Sequence, residues 1–391
     1  VILTGCDRLL REPRRLAGRR YGLLAHPASV TSDLRPLHMA LSASAAGPPA
    51  ALFGPEHGFY GVEQDMIPSA DARDPWTGAP IVSLYGDDSE SLRPRPQAMA
   101  GLDVLVVDLQ DVGSRYYTYA ATAVWAAMAA LETGVEVWVL DRPNPLGGEV
   151  IEGNLRGDGY ASFVGAFPIP VRHGLTLAEL VRLELEREGA DGAGLTVWEM
   201  DGWRRRMLWR DTGLEWIAPS PNVPTPATAL VYPGGCLVEG TELSEGRGTT
   251  RPFELVGAPG IDPPALAAAL EARGMPGVRF LPAYFRPQFQ KHAGELCGGV
   301  QVLVTGAAEL PALRWGVELL AAVRRRFPDA FGWRRDPYEF VGDRPAIDLL
   351  AGGSELREAL DAGSVPDAWM ATWSADEAAF REQRRDVLIY S

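Results

Sequence analysis

Over the first two-thirds of the chain, short apolar runs alternate with longer stretches whose apolar residues recur at helical spacing, which predicts a parallel sheet covered by helices. Tyr21-Gly22-Leu23-Leu24-Ala25 and Ala51-Leu52-Phe53 read as strands, as do Val104 to Leu109 and Val135 to Leu140. The unbroken Val/Leu character of the last two predicts burial on both sheet faces. Between them Tyr119 to Thr133 is Ala-rich with a helical period, and Gly134 supplies its stop, so a βαβ unit is expected. A second helix is expected from Thr176, where Glu179 completes a capping box, to about Glu188. Residues 218–253 hold many Gly, Pro, Thr and Glu with little periodicity and predict a long, ordered, functional loop. Helical patterns return at 263–273, 310–326 and 375–388, with a strand at 299–305. A chain of 391 residues fits two domains better than one, and the division is placed at 1–253 and 254–391, both α/β, with a cleft between them.

Polar turns follow the predicted strands: Gly54-Pro55-Glu56-His57, Gln110-Asp111-Val112-Gly113 and Asp141-Arg142-Pro143-Asn144-Pro145. Ligands of open α/β sheets bind beyond the carboxyl ends of the strands, so the three turns are expected to converge.

Composition narrows the chemistry. Apolar residues at 46% and charged residues at 23% exclude disordered and fibrous classes. A formal charge of -14 argues against nucleic acid or an anionic membrane as partner. Nearly every cation is Arg; the single lysine, Lys291, lies in neither a phosphate-loop nor a Schiff-base motif. Cys6, Cys236 and Cys297 are too scattered for a disulfide framework or a CxxC metal site, and no metal or cofactor is expected. No run approaches the roughly 20 apolar residues that cross a bilayer. The start lacks both a signal pattern and a Met, so the expected location is secreted or periplasmic if a leader was removed and cytoplasmic otherwise. GxSxG, HExxH, GxGxxG and GxxxxGK[ST] are all absent. Gly192-Ala193-Gly194, the nearest approach to a dinucleotide loop, reads as a turn before a strand.

Carboxylates, amides and arginines on loops remain, the set with which a glycosidase protonates a leaving oxygen and holds sugar hydroxyls. Glu56 stands out because Pro55 and Gly58 stiffen its turn, and burial beside Phe53 and Phe59 would favour the protonated form a general acid needs. The competing reading is a Glu that accepts turn N–H bonds, with His57 orienting it or touching substrate. Around it the candidate binding residues are Gln110, Asp111, Arg115 and Tyr119; Asp141, Arg142, Asn144, Arg172 and His173; Asn222; and Glu239, Glu245 and Arg247. Tyr rings suit sugar faces and Arg suits a carboxylate, while helix capping by Asp111 and an Asp141–Arg142 ion pair are the structural alternatives.

Six segments carry a specific resemblance over nearly the whole chain: Leu52 to Phe59, Asp108 to Tyr119, Leu140 to Pro145, Pro168 to Gly174, Pro219 to Thr225 and Glu239 to Thr250. In them the chain resembles the exo-β-N-acetylmuramidase family, glycoside hydrolase family 171, once catalogued as domain of unknown function 1343. The resemblance implies a Rossmann-like N-terminal domain, a smaller C-terminal α/β domain, and a site between them that releases N-acetylmuramic acid from non-reducing ends of peptidoglycan fragments. It implies Glu56 as catalytic carboxylate and gives Arg115, Arg142, Arg172 and Arg247 the lactyl carboxylate to bind. Glu245, Asp141 and Glu239 are the candidates for a second carboxylate, unless the sugar's acetamido group takes that part. A muropeptide-binding protein without turnover is the competing reading, and a wall-peptide amidase or esterase is disfavoured by the missing motifs. Two departures stand out: His26-Pro27-Ala28-Ser29 replaces an Asn-Pro-Thr-Gly turn, and Glu242 replaces a common Asn, adding charge beside a site for an anionic sugar.

Overall fold

The computed structural model describes residues 1–64, 67, 72–86, 88, 90–190, 192–364 and 366–391. The expected strands form as β1 (Tyr21–Ala25), β2 (Ala51–Gly54), β5 (Val104–Asp108) and β6 (Glu136–Leu140). Three more complete the sheet: β3 (Ala72–Arg73), β4 (Pro80–Ser83) and β7 (Leu195–Trp198). Their order is β3-β4-β2-β1-β5-β6-β7, parallel throughout except for the β3–β4 pair. The chain builds outward from β1 in one direction and from β5 in the other, so the topological switch lies between β1 and β5.

Period-two alternation explains why these runs are strands. Leu105, Val107, Val137 and Val139 enter one apolar cluster, and Val104, Val106, Trp138 and Leu140 enter another on the opposite face. Helix Tyr119–Glu132 covers the first face through Ala120, Ala123, Val124 and Ala127. Helix Leu177–Arg187 joins it, capped as expected by Thr176 and Glu179 at 3.3 and 3.0 Å.

The second sheet is antiparallel, β8 (Leu255–Ala258), β9 (Val278–Phe285) and β10 (Cys297–Val304), in the order β8-β10-β9. Helices Pro263–Glu271 and Arg314–Arg326 pack with it, and the apolar cluster of the first sheet runs on without a break to Val256, Val300 and Trp315. The two sheets thus share one core.

Two expectations are corrected. Residues 218–253 are not wholly irregular: helix Pro226–Gly235 starts at the Thr225 cap with Pro in its first turn, and a 3₁₀ helix follows at Cys236–Gly240. Burial of Ala229, Val231 and Tyr232 outweighs the poor helix propensity of the Gly and Pro residues. The late helix spans Asp367–Gln383 rather than 375–388, because Trp369, Trp373 and Phe380 form its buried stripe. Beyond it, residues 384–391 return to the first sheet. Arg384 donates to the carbonyls of His173 and Gly174, Tyr390 donates to Asp141, and the Ile389 N–H reaches Glu179.

Candidate active site

A small cavity, about 40 Å³ in volume, opens beyond the carboxyl ends of β2 and β5. The loop after β2 gives Glu56 and His57, and the segment after β5 gives Tyr116, Tyr117 and Thr118. Ser220 and Asn222 close one side; Tyr232, Glu239, Arg247 and Phe253 follow from the next stretch of chain, and Tyr338 and Glu339 come from beyond residue 253.

Local sequence sets the Glu56 turn. Gly54 is required because a Cβ there would stand 2.5 Å from the Phe59 nitrogen. Gly58 N–H closes the turn on the Pro55 carbonyl at 2.9 Å. His57 takes a left-handed φ of 69°, an uncommon conformation for a side chain with a Cβ and one that gathers at functional sites. Glu56 is 5% exposed, its Oε2 accepts from the Thr118 hydroxyl at 2.7 Å, and its carbonyl accepts from Tyr119 at 3.3 Å. His57 Nδ1 pairs with the Glu63 carbonyl at 3.0 Å, while the Phe59 ring stands edge-on to His38 and Tyr60.

Across the cavity lies a buried charge cluster. Arg247 Nη1 bridges Glu239 at 3.0 Å and Glu245 at 3.1 Å, with its guanidinium over the Phe253 ring. Lys291 reaches Glu245 at 2.8 Å and also donates to the carbonyls of Val238 and Leu243. Burial alone would raise the Glu245 pKa, but Lys291 and then Arg247 outweigh it and hold the carboxyl down at about 2. Gly246 lets the chain turn between the two charged residues: its φ is 82°, and a Cβ would stand 2.6 Å from the Leu255 carbonyl. Glu239 accepts from Tyr338 at 2.7 Å. Tyr338 and Val341 pair as the ends of a two-residue hairpin turn whose central residues, Glu339 and Phe340, have φ of 47° and 64°. Such a turn normally uses Asn-Gly, so strain of about 1–3 kcal/mol per residue is stored at the cavity wall.

Of the residues expected from sequence, Glu56, His57, Asn222, Glu239 and Arg247 line the cavity, Tyr119 lies under Glu56, and Glu245 is joined through Arg247. The others are not brought there. Arg115 donates to the carbonyls of Asn154, Ile169 and Leu350, riveting the N-terminal half to the C-terminal half. Arg142 grips Asp108 through two bonds of 2.6 and 2.8 Å. Arg172 donates to the Leu146 carbonyl, and His173 accepts from the Leu175 N–H. Asn144 bonds to Leu146 and Leu175, Asp111 receives the Gly113 N–H, and the Gln110 amide donates to the carbonyls of Asp111 and Pro143. Asp141 accepts from Tyr390 and the Ala178 N–H, and burial raises its pKa to about 7. Thr118, Tyr338, Glu339 and Lys291 belong to the site without having been expected there. Only Lys291 carried a signal, as the chain's single lysine.

The departures have structural uses. His26 sits at the switch point, where Nε2 accepts the Gln110 N–H at 2.8 Å, leaving Nδ1–H to donate to the Pro219 carbonyl at 3.1 Å. Burial first, then Arg142, lowers its pKa to about 3. Since the folded pKa lies below the unfolded value near 6.5, the unfolded chain binds the proton first, and stability falls as pH drops from about 6.5 toward 3. The expected contribution is about 1.4 kcal/mol per pH unit. Urea unfolding of wild type and His26→Asn between pH 7 and 4 checks this: the wild-type curve should be steeper by that amount, and parallel curves would refute it. Glu242 is exposed, with its carboxylate beside Gly332, and it is not among the residues that line the cavity.

A Rossmann-like sheet with a buried carboxyl at a strand end, faced by tyrosines and further carboxylates, brings together the kinds of group that glycosidases use. Among the described residues no group of three or more His, Cys, Asp or Glu is arranged to hold a metal, and no helix is long and apolar enough to cross a membrane.

The comparisons give the particular family. The model described as exo-beta-N-acetylmuramidase NamZ, N-terminal, matches residues 21–227, and its C-terminal counterpart matches 230–390. The peptidoglycan beta-N-acetylmuramidase NamZ of Bacillus subtilis (strain 168) is 40% identical over 390 residues, covering 100% of this chain and 91% of that one. Two crystal structures of DUF1343 family proteins from Bacteroides fragilis NCTC 9343 align over 100% of this chain and 99% of theirs, with TM-scores of 0.86 and 0.77 at 34% and 27% identity. The chain belongs to the exo-β-N-acetylmuramidase family and is a glycoside hydrolase acting on peptidoglycan.

Proposed function

We propose that the protein releases N-acetylmuramic acid from the non-reducing ends of peptidoglycan-derived saccharides or muropeptides, with Glu56 as general acid. The observation that carries this is Glu56 itself, a buried carboxyl in a strained turn, oriented by Thr118 and facing the tyrosines and the Arg247 cluster. The reading divides the chain into 1–253 and 254–391, with the site in the cleft between them.

Glu56 gives its proton to the glycosidic oxygen as the bond to the anomeric carbon breaks. Both Glu245 oxygens are engaged, one by Arg247 and one by Lys291, which suits a fixed anion better than a nucleophile. That favours the sugar's own acetamido oxygen as the group that bonds to the anomeric carbon. Water then opens this ring, and the Glu56 carboxylate takes its proton. Arg247 is the receptor for the lactyl carboxylate, since it lines the cavity while Arg115, Arg142 and Arg172 are held away from it by carbonyls and by Asp108. The test is turnover of a chromogenic β-N-acetylmuramide against the matching N-acetylglucosaminide. Release from the first alone supports the reading; binding without turnover supports a muropeptide-binding protein instead.

A further inference from the structure

The cavity beside Glu56 is smaller than the sugar it is read to take. Its volume of about 40 Å³ holds about one or two waters, whereas pockets that bury small-molecule ligands run to about 300–1,000 Å³. A wall must therefore move before a sugar ring reaches Glu56, and burial decides which wall. Glu56 leaves β2 in a turn closed by the Gly58 N–H, and Tyr116 and Tyr117 are buried where the chain enters helix Tyr119–Glu132. Tyr232 sits in helix Pro226–Gly235 and Glu239 in the 3₁₀ helix Cys236–Gly240, of which every residue is buried. Segment 219–223 is tied at Pro219, whose carbonyl accepts from His26 and Tyr119 at 3.1 and 2.9 Å. Moving any of these walls disturbs the shared core.

The hairpin turn at Tyr338–Val341 is built differently. Tyr338 and Glu339 are buried and line the cavity, yet the stretches on either side, 335–337 and 342–345, are exposed. The chain is fastened beyond those arms: the Arg334 N–H bonds to the Gly240 carbonyl at 3.0 Å, and Pro345 leads into helix Ala346–Ala351, whose residues are all buried. Between the fastenings the hairpin spans from Glu239, which accepts from Tyr338 at 2.7 Å, to the loop after β4, where the Phe340 ring stands 6.0 Å from that of Tyr85. Opening gives up the packing of Tyr338 and Val341 on the shared core, and of Phe340 on a separate small cluster of Tyr85, Leu92, Ala121 and Phe163. It also releases the left-handed φ of Glu339 and Phe340, so strain held in the closed turn offsets part of what opening costs. An element balanced in this way between two states has the property a gate requires.

We propose that the Tyr338–Val341 hairpin is the gate of the sugar site: it swings outward on the arms 335–337 and 342–345 to admit the terminal sugar, then closes so that Tyr338 and Glu339 complete the wall around it. The gate rests on the proposed reading of the cavity as the N-acetylmuramic acid site. Opening and closing then accompany every turnover, and the released sugar leaves by the same door.

Cysteine accessibility tests the gate without any sugar. Val223 lines the cavity and is 1% exposed, while the native Cys6 is 0% exposed in the other apolar cluster and is not among the lining residues. In the full chain carrying Val223→Cys, iodoacetamide should alkylate the introduced thiol and leave Cys6 unmodified, because opening the hairpin uncovers the first and only global unfolding uncovers the second. Adding Phe340→Ala should speed the first reaction about tenfold, the scale of one lost aromatic contact, and leave Cys6 unchanged. An introduced thiol that reacts no faster than Cys6 overturns the gate, since the cavity then opens only with the whole fold. A rate unmoved by Phe340→Ala overturns the hairpin as the moving wall. If Val223→Cys does not fold, Ser220→Cys places a thiol on the same cavity and reads the same contrast. Either labelling failure removes the gate and leaves the functional reading standing, whereas failure to turn over a β-N-acetylmuramide removes that reading and the role of the gate with it.

Discussion

Replacing Glu56 with Gln should lower kcat on a β-N-acetylmuramide by about 10³-fold and leave KM within a few-fold, because proton donation by a positioned acid is worth 10²–10⁴. The substitution keeps an oxygen to accept the Thr118 hydroxyl, so the turn and its left-handed His57 should stand. Steady-state kinetics with thermal unfolding of both proteins checks the expectation. Full turnover by the Gln variant would remove Glu56 from the chemistry, and a large loss of stability would return it to the role of a turn acceptor.

The largest stability effect is expected at a different carboxylate. Arg142 and Asp108 form a two-bond pair with side chains 4% and 0% exposed, at the topological switch between β1 and β5. Arg142→Leu strands the Asp108 carboxylate in the core and should cost about 3–5 kcal/mol, far more than breaking an exposed pair such as Arg35–Asp33. Denaturant unfolding measures the difference, and a loss below about 1 kcal/mol would show that solvent or a neighbour compensates Asp108.

The contrast between these residues explains what the sequence could reveal. Strands β1, β2, β5 and β6 were legible because both of their faces are buried and, apart from Asp108 and Glu136 at their ends, their positions are apolar or Gly. The capping box at Thr176 and the turn at Gly192 were legible from local chemistry. Strands β3 and β4 were not, since a two-residue exposed strand and Pro80-Ile81-Val82-Ser83 leave little period to read. Helix Pro226–Gly235 was hidden by composition that only tertiary burial overrides. Within the site, the Glu56 turn showed itself through Pro, Gly and His around one carboxylate. The arginines did not sort themselves, because a guanidinium that binds backbone carbonyls, as Arg115 does, reads along the chain like one that binds a ligand. Tyr338 and Lys291 lie 99 and 46 residues beyond their carboxylate partners, a pairing that no local pattern encodes.

The return of residues 384–391 to the first sheet bears on the order of folding. Tyr390 closes on Asp141 across 249 positions, and Arg384 and Ile389 close on His173 and Glu179 across 211 and 210. Loops of this length are assembled late, since their closure entropy is met before their contacts reward it. During synthesis the buried Asp141 and Glu179 therefore stay without their tail partners until the other half has been made.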